Sequence, residues 1–93
     1  MKIQIDPHTL ERAEERGANI EEMTDVIENG FAMPAKKSRL AKWKVYPFEK
    51  ERLGKFYKQK RVEVIYIIEH NVIVTVTVYV FYGEWKAENA STL

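Results

Sequence analysis

Residues 72–82 read Val-Ile-Val-Thr-Val-Thr-Val-Tyr-Val-Phe-Tyr. Eleven β-branched and aromatic residues without a Gly, Pro or charge describe a strand, and the run is shorter than the roughly 18–20 apolar residues a membrane helix needs. Alternation places Val72, Val74, Val76, Val78 and Val80 on one face, the expected floor for helices. Ile73, Thr75, Thr77, Tyr79 and Phe81 are then expected on the opposite, open face.

Working back toward the N-terminus, Glu69-His70-Asn71 reads as a hairpin turn. Before it, residues 62–68 place Val62, Val64, Tyr66 and Ile68 on one face of a second strand, which is expected to begin near Lys55 and to pass a bulge near Gln59. Residues 48–54 are charged and turn-like. Pro47 is expected to end a third strand, residues 39–46, in which Ala41, Trp43 and Val45 alternate with Leu40, Lys42 and Lys44.

Upstream, the period changes to that of helices. Asp6 is an N-cap with Pro7 at the first helical position, and Gly17 is a C-cap, so the first helix spans residues 7–16. Asn19 with Glu22 makes a capping box for a second helix, which carries Ile20, Met23, Val26 and Ile27 on one side and ends at Asn29-Gly30. Its acidic side, Glu21, Glu22, Asp25 and Glu28, is expected to face solvent. Ile3 and Ile5 suggest a short strand ahead of both helices. Ninety-three residues support one core. The expected architecture is therefore α+β: two N-terminal helices on one face of an antiparallel sheet of three to four strands. The domain is expected over residues 1–83, with residues 84–93 as a flexible tail.

The net charge of +1 hides a strong sorting. Residues 1–30 carry three basic and eight acidic side chains, residues 31–61 eleven basic and two acidic, and residues 62–93 one basic and four acidic. A cationic stretch interleaved with Phe31, Trp43, Tyr46, Phe48, Phe56 and Tyr57 combines phosphate-attracting charge with base-stacking rings. Lysine-rich strands that merely keep a small sheet soluble have the same composition. With no cysteine and no signal-peptide pattern, the chain reads as a cytoplasmic domain without a membrane segment. His8 and His70 stand apart, outside any ligand array, so neither metal nor cofactor is expected.

No Gly-rich phosphate loop and no Ser or Cys nucleophile motif is present. The residue types that remain are those of metal-independent RNA cleavage, in which a 2′-hydroxyl loses a proton and a phosphorane is stabilised. His8 is the candidate acid or base, Arg12 and Arg39 the oxyanion clamps, and Thr77 or Tyr79 an orienting donor. Arg16, Lys36, Lys37, Lys42, Lys44 and Lys55 are candidate nucleic-acid contacts. Each also has an ordinary structural role open to it: Arg12 and Arg16 as ion-pairing or carbonyl-capping arginines, Lys36 and Lys37 as loop charges, and Trp43 as a packing aromatic.

The run Pro7-His8-Thr9-Leu10-Glu11-Arg12-Ala13-Glu14-Glu15-Arg16-Gly17, the amphipathic helix to Glu28-Asn29-Gly30, the entry Ala35-Lys36-Lys37-Ser38-Arg39 and the closing Val72-Ile73-Val74-Thr75-Val76-Thr77-Val78-Tyr79 resemble a small domain-of-unknown-function family of phage, mobile-element and toxin–antitoxin proteins. That family is similar to the RelE/ParE-like toxins, within the wider fold group that includes barnase-type nucleases. The resemblance covers roughly residues 3–82. It implies a helical pair on a curved antiparallel sheet and picks out His8, Arg12, Arg16, Gly17, Arg39 and Thr75 or Thr77 as signature positions. It also implies RNA or a ribosome as target and an antitoxin protein as partner. Members of the RelE-like group include both messenger-RNA cleavers and proteins with another target, gyrase. Unlike the ribonucleases, this chain has only Tyr79, Tyr82 and Lys86 as counterparts of their last-strand and C-terminal basic and aromatic residues. A RelE/ParE-like ribonuclease toxin, a non-catalytic nucleic-acid- or protein-binding accessory domain, and a homodimer joined through the last strand's edge are thus three expectations to set against the structure.

Overall fold

A computed structural model describes residues 1–86 of the chain. The element order is β1 (Lys2–Gln4), α1 (Pro7–Arg16), α2 (Ile20–Asn29), β2 (Phe31–Met33), β3 (Leu40–Arg52), β4 (Lys55–Glu69) and β5 (Val72–Gly83). Both helices form where their caps put them. Asp6 Oδ2 accepts from the His8 N–H at 3.0 Å, and Gly17 closes α1 with a left-handed φ of 94°. Asn19 and Glu22 exchange the two hydrogen bonds of a capping box at the start of α2.

The sheet has five strands in the order β1-β5-β4-β3-β2, antiparallel except for β1, which lies parallel to β5. The α+β class is as expected, with five strands where three to four were expected. β1 is the short strand suggested by Ile3 and Ile5, and β2, only three residues long, is too short to display an alternation. The helices cover one face of the sheet, where Ala13, Met23, Val26 and Ile27 pack on Val62, Val64, Tyr66 and Val78. Ile20, expected on that apolar side, is half exposed at 49%.

Two departures from regular alternation reshape the sheet. β3 does not end at Pro47 but continues to Arg52, because Phe48 and Glu49 together oppose Lys58 and absorb the proline as a bulge. The expected bulge near Gln59 therefore exists, with its extra residue on β3. Pro47 is tolerated because β2 covers β3 only opposite residues 41–43, which leaves that stretch of β3 as an edge.

In β5, Thr75 pairs with Tyr66 and Thr77 with Ile65, which leaves Val76 as an extra residue. One extra residue reverses the faces. Below the bulge Ile73 and Thr75 face the helices, and above it Val78 and Val80 do. The continuous valine floor is thus corrected to a mixed one, and Thr75 leaves Thr77 and Tyr79. Thr75 is 3% exposed, and its hydroxyl accepts from the Asp6 N–H at 2.9 Å and ties β5 to the start of α1.

Two-residue turns with positive φ at both positions, Leu53-Gly54 and His70-Asn71, close the β3–β4 and β4–β5 hairpins. The last strand is not a free edge along its whole length: β1 covers Val72–Val74, and Arg16 caps the Val78 carbonyl. The expected tail is anchored at its start, where the Trp85 N–H donates to Gln59 Oε1 at 2.6 Å. The rest of that tail, residues 87–93, lies outside the described residues.

Candidate nucleic-acid interface

Most of the helix-facing cations of the basic stretch find their partners inside the fold. Lys42 Nζ donates to the Ile27 carbonyl at 2.8 Å, completing the last turn of α2, whose free carbonyls carry partial negative charge. Lys44 pairs with Asp25 at 2.7 Å, and the Tyr46 hydroxyl donates to the same carboxylate. Lys60, 8% exposed, donates to the Gly17 carbonyl at 2.7 Å and pairs with Glu22 at 2.8 Å. Arg52 donates to the Glu15 carbonyl at 3.0 Å.

The acidic side of α2 is thereby corrected: Glu22 and Asp25 face strand lysines, while Glu21 and Glu28 remain exposed. Hydrogen bonds from Lys44, Tyr46 and Asn29 hold Asp25 at a pKa of about 2, well below the usual carboxylate range. Burial, then the Asp25 carboxylate, pushes the Tyr46 phenol up. Lys42 and Lys44, expected as nucleic-acid contacts, are engaged with α2.

The opposite face of the sheet carries no helix. There the connection between β2 and β3 arches over β4 and β5 and makes a cleft of about 440 Å³, lined by residues 33–36, Arg39, Glu63, Ile65, Thr77 and Tyr79. The arch is set by a turn in which the Arg39 N–H donates to the Lys36 carbonyl at 3.0 Å and Ser38 takes a φ of 68°. That turn brings Lys36 and Arg39 to the same cleft. Among the described residues neither forms an ion pair, nor do Lys37, Lys50 or Lys55. Tyr79 and Phe81, two residues apart on β5, are 43% and 48% exposed.

Three of the five expected catalytic residues, Arg39, Thr77 and Tyr79, are therefore brought together. His8 and Arg12 are not among the residues that line the cleft. His8 is exposed in the first turn of α1, and Arg12 pairs with Glu15 at 3.0 Å and Glu11 at 3.6 Å.

Arg16 has a different place from either. Its guanidinium donates to the Val78 carbonyl at 2.7 Å and lies 5.1 Å over the Tyr79 ring, while its own carbonyl accepts from the Tyr82 hydroxyl at 2.6 Å. Gly17 makes this lock possible, since a Cβ there would collide with the Tyr82 hydroxyl. The Arg-Gly pair is thus a joint between α1 and β5. Lys55 lies beside the distal hairpin, 5.5 Å over the Tyr57 ring.

Sequence reasoning missed Glu63 and Arg61. Arg61 lies 4.1 Å over Trp43, which is 8% exposed and packed on Phe31, so Trp43 is a packing aromatic and Arg61 is held in turn by Glu63 at 2.8 Å. The signal was present as a charged pair at alternate positions of a strand whose other positions, Val62 and Val64, are apolar.

Comparison with family models, with curated proteins and with solved structures returns no match for this chain. The fold and cleft define an α+β domain with a helix-free sheet face and, at its cleft, two cations without an ion pair among the described residues, a hydroxyl, a carboxylate and an exposed ring. Among the described residues no group of three or more His, Asp or Glu side chains is placed to hold a metal ion. No helix among them is long and apolar enough to cross a membrane.

Proposed function

We propose that this protein is a RelE/ParE-like domain that binds single-stranded RNA across its open sheet face. What supports this most is the convergence of Lys36, Arg39, Thr77 and Tyr79 in one cleft, where Lys36 and Arg39 form no ion pair among the described residues. Lys36 and Arg39 meet phosphates, Thr77 supplies a hydroxyl, and the exposed part of the Tyr79 ring, away from the Arg16 guanidinium, offers with Phe81 beyond it a surface on which unstacked bases lie.

A second function is favoured by one observation, the Glu63 carboxylate in the same cleft. In a metal-independent ribonuclease toxin, Glu63, which lines the cleft where His8 does not, takes the 2′-hydroxyl proton; the 2′-oxygen bonds to phosphorus, the P–O5′ bond breaks to leave a 2′,3′-cyclic phosphate, and the 5′-oxygen departs with a proton from water, while Arg39 stabilises the phosphorane and Tyr79 or Thr77 orients the phosphate. An antitoxin protein belongs to that function and not to simple binding.

The test is a titration of labelled single-stranded RNA at several salt concentrations, followed by electrophoresis of the bound RNA. Binding is expected to weaken with salt, and Arg39→Ala is expected to lower the log–log slope by about 0.7, the share of one phosphate on a single strand. Intact RNA after prolonged incubation assigns the protein to binding, and fragments lost in Glu63→Gln assign it to cleavage. Salt-independent or absent binding contradicts both.

A further inference from the structure

A surface that only attracts phosphate has no use for a carboxylate, yet Glu63 lines the cleft beside Arg39, Thr77 and Tyr79. Its side chain is 13% exposed, and its ion pair with Arg61 leaves the site an acceptor more than a phosphate ligand. The group is also firmly held. Arg61 Nε donates to Glu63 Oε2 at 2.8 Å, Arg61 stacks on Trp43 at 4.1 Å, and Trp43 packs on Phe31 with ring centroids 5.0 Å apart. This chain of contacts crosses β2, β3 and β4 and fixes the direction in which the carboxylate points. Oε1 accepts no hydrogen bond among the described residues and is not sealed from solvent. Across the β4–β5 ladder, Glu63 lies directly opposite Tyr79. A base stacked on Tyr79 therefore turns its edge toward a fixed acceptor.

We infer that Glu63 selects a guanine in the bound strand, a specificity that rests on the RNA-binding function proposed above. An ionised carboxylate only accepts hydrogen bonds, and it presents two oxygens side by side. Guanine is the base whose Watson–Crick edge offers two adjacent donors, N1–H and the 2-amino group. Adenine and cytosine set one amine beside a ring nitrogen acceptor, and uracil sets one N–H between two carbonyls. Each of those edges brings an acceptor against the second carboxylate oxygen, so the site discriminates by repulsion as well as by attraction. The cleft's size, about 440 Å³, falls within the roughly 300–1,000 Å³ of small-ligand sites. Lys36 and Arg39 then hold the flanking phosphates, and Arg61, two residues away on the same face of β4, fixes the carboxylate.

The experiment is an anisotropy titration of the full chain with fluorescein-labelled octamers of uridine that carry one central guanosine, inosine or adenosine, or no replacement. Inosine keeps N1–H and lacks the 2-amino group. The guanosine octamer is expected to bind about tenfold more tightly than the other three. In Glu63→Gln that ratio is expected to fall below twofold, with circular dichroism verifying that the variant is folded. Should the variant fail to fold, the guanosine-to-inosine ratio of the wild type decides alone. Equal affinity of the wild type for all four octamers, or an undiminished preference in folded Glu63→Gln, overturns the role of Glu63 while leaving RNA binding intact. Absence of binding to every octamer overturns the RNA-binding function itself, and the specificity with it.

Discussion

The two faces of the sheet use the same basic stretch of chain in opposite ways. On the helix side, Lys42, Lys44 and Lys60 reach the Ile27 carbonyl, Asp25 and Glu22, so that acidic α2 neutralises the strands beneath it. On the open side and in the β2–β3 arch, Lys36 and Arg39 meet no acidic partner among the described residues. A charge sorting that looks in the sequence like one docking surface is thus partly internal complementarity. Only the remainder is offered to a partner. Cations of the first kind should matter to folding and those of the second to binding.

The largest expected effect is at Lys60. Lys60→Ala leaves Glu22 and the Gly17 carbonyl without their cation in a nearly closed site, and is expected to cost about 3 kcal/mol in urea unfolding. Lys36→Ala, by contrast, is expected to stay within about 0.5 kcal/mol of wild type. Equal costs at the two positions break the comparison. Next is Gly17→Ala, expected to lose about 2 kcal/mol because it combines a left-handed backbone with a collision at the Tyr82 hydroxyl. Tyr82→Phe removes only the hydrogen bond to the Arg16 carbonyl and is expected to cost about 1 kcal/mol in the same assay.

Asp25 sharpens the helix-side half of the comparison through pH. Its folded pKa of about 2 lies below the ordinary 3.8, so it contributes stability that is fully present above the ordinary value. That contribution is lost as pH falls through 3.8 toward 2. Asp25→Asn is therefore expected to be less stable than wild type at pH 7, by about 1–2 kcal/mol, and the gap is expected to narrow between pH 4 and pH 2. Urea midpoints at pH 7 and at pH 2.5 check this, and a gap independent of pH contradicts it.

What the sequence announced and what it concealed separate by range. Helix ends were legible because caps are local: Asp6, Gly17, Asn19 and Glu22 act within a few residues of themselves. The apolar positions Val62, Val64 and Tyr66 were legible because β4 keeps strict alternation through the core. Thr75 was misplaced because one unpaired residue, Val76, reverses alternation, and nothing local marks a bulge in a run without Gly or Pro. Pro47 misled in the opposite direction, because its strand was an edge at that point. Within the candidate site, Arg39, Thr77 and Tyr79 could be named as residue types. Their meeting, in a cleft that His8 and Arg12 do not line, depends on how the β2–β3 connection lies against β4 and β5, which no local pattern encodes.

The most direct test of the two-faced account is the salt dependence of RNA affinity in two variants measured side by side, Lys36→Ala/Arg39→Ala and Lys42→Met. The first is expected to bind at least tenfold more weakly, to flatten the log–log slope by about 1.4, and to unfold at the wild-type urea midpoint. The second is expected to keep the wild-type slope and affinity and to unfold at a lower midpoint. Unchanged RNA binding in the first variant, with a reduced slope in the second, would contradict the account.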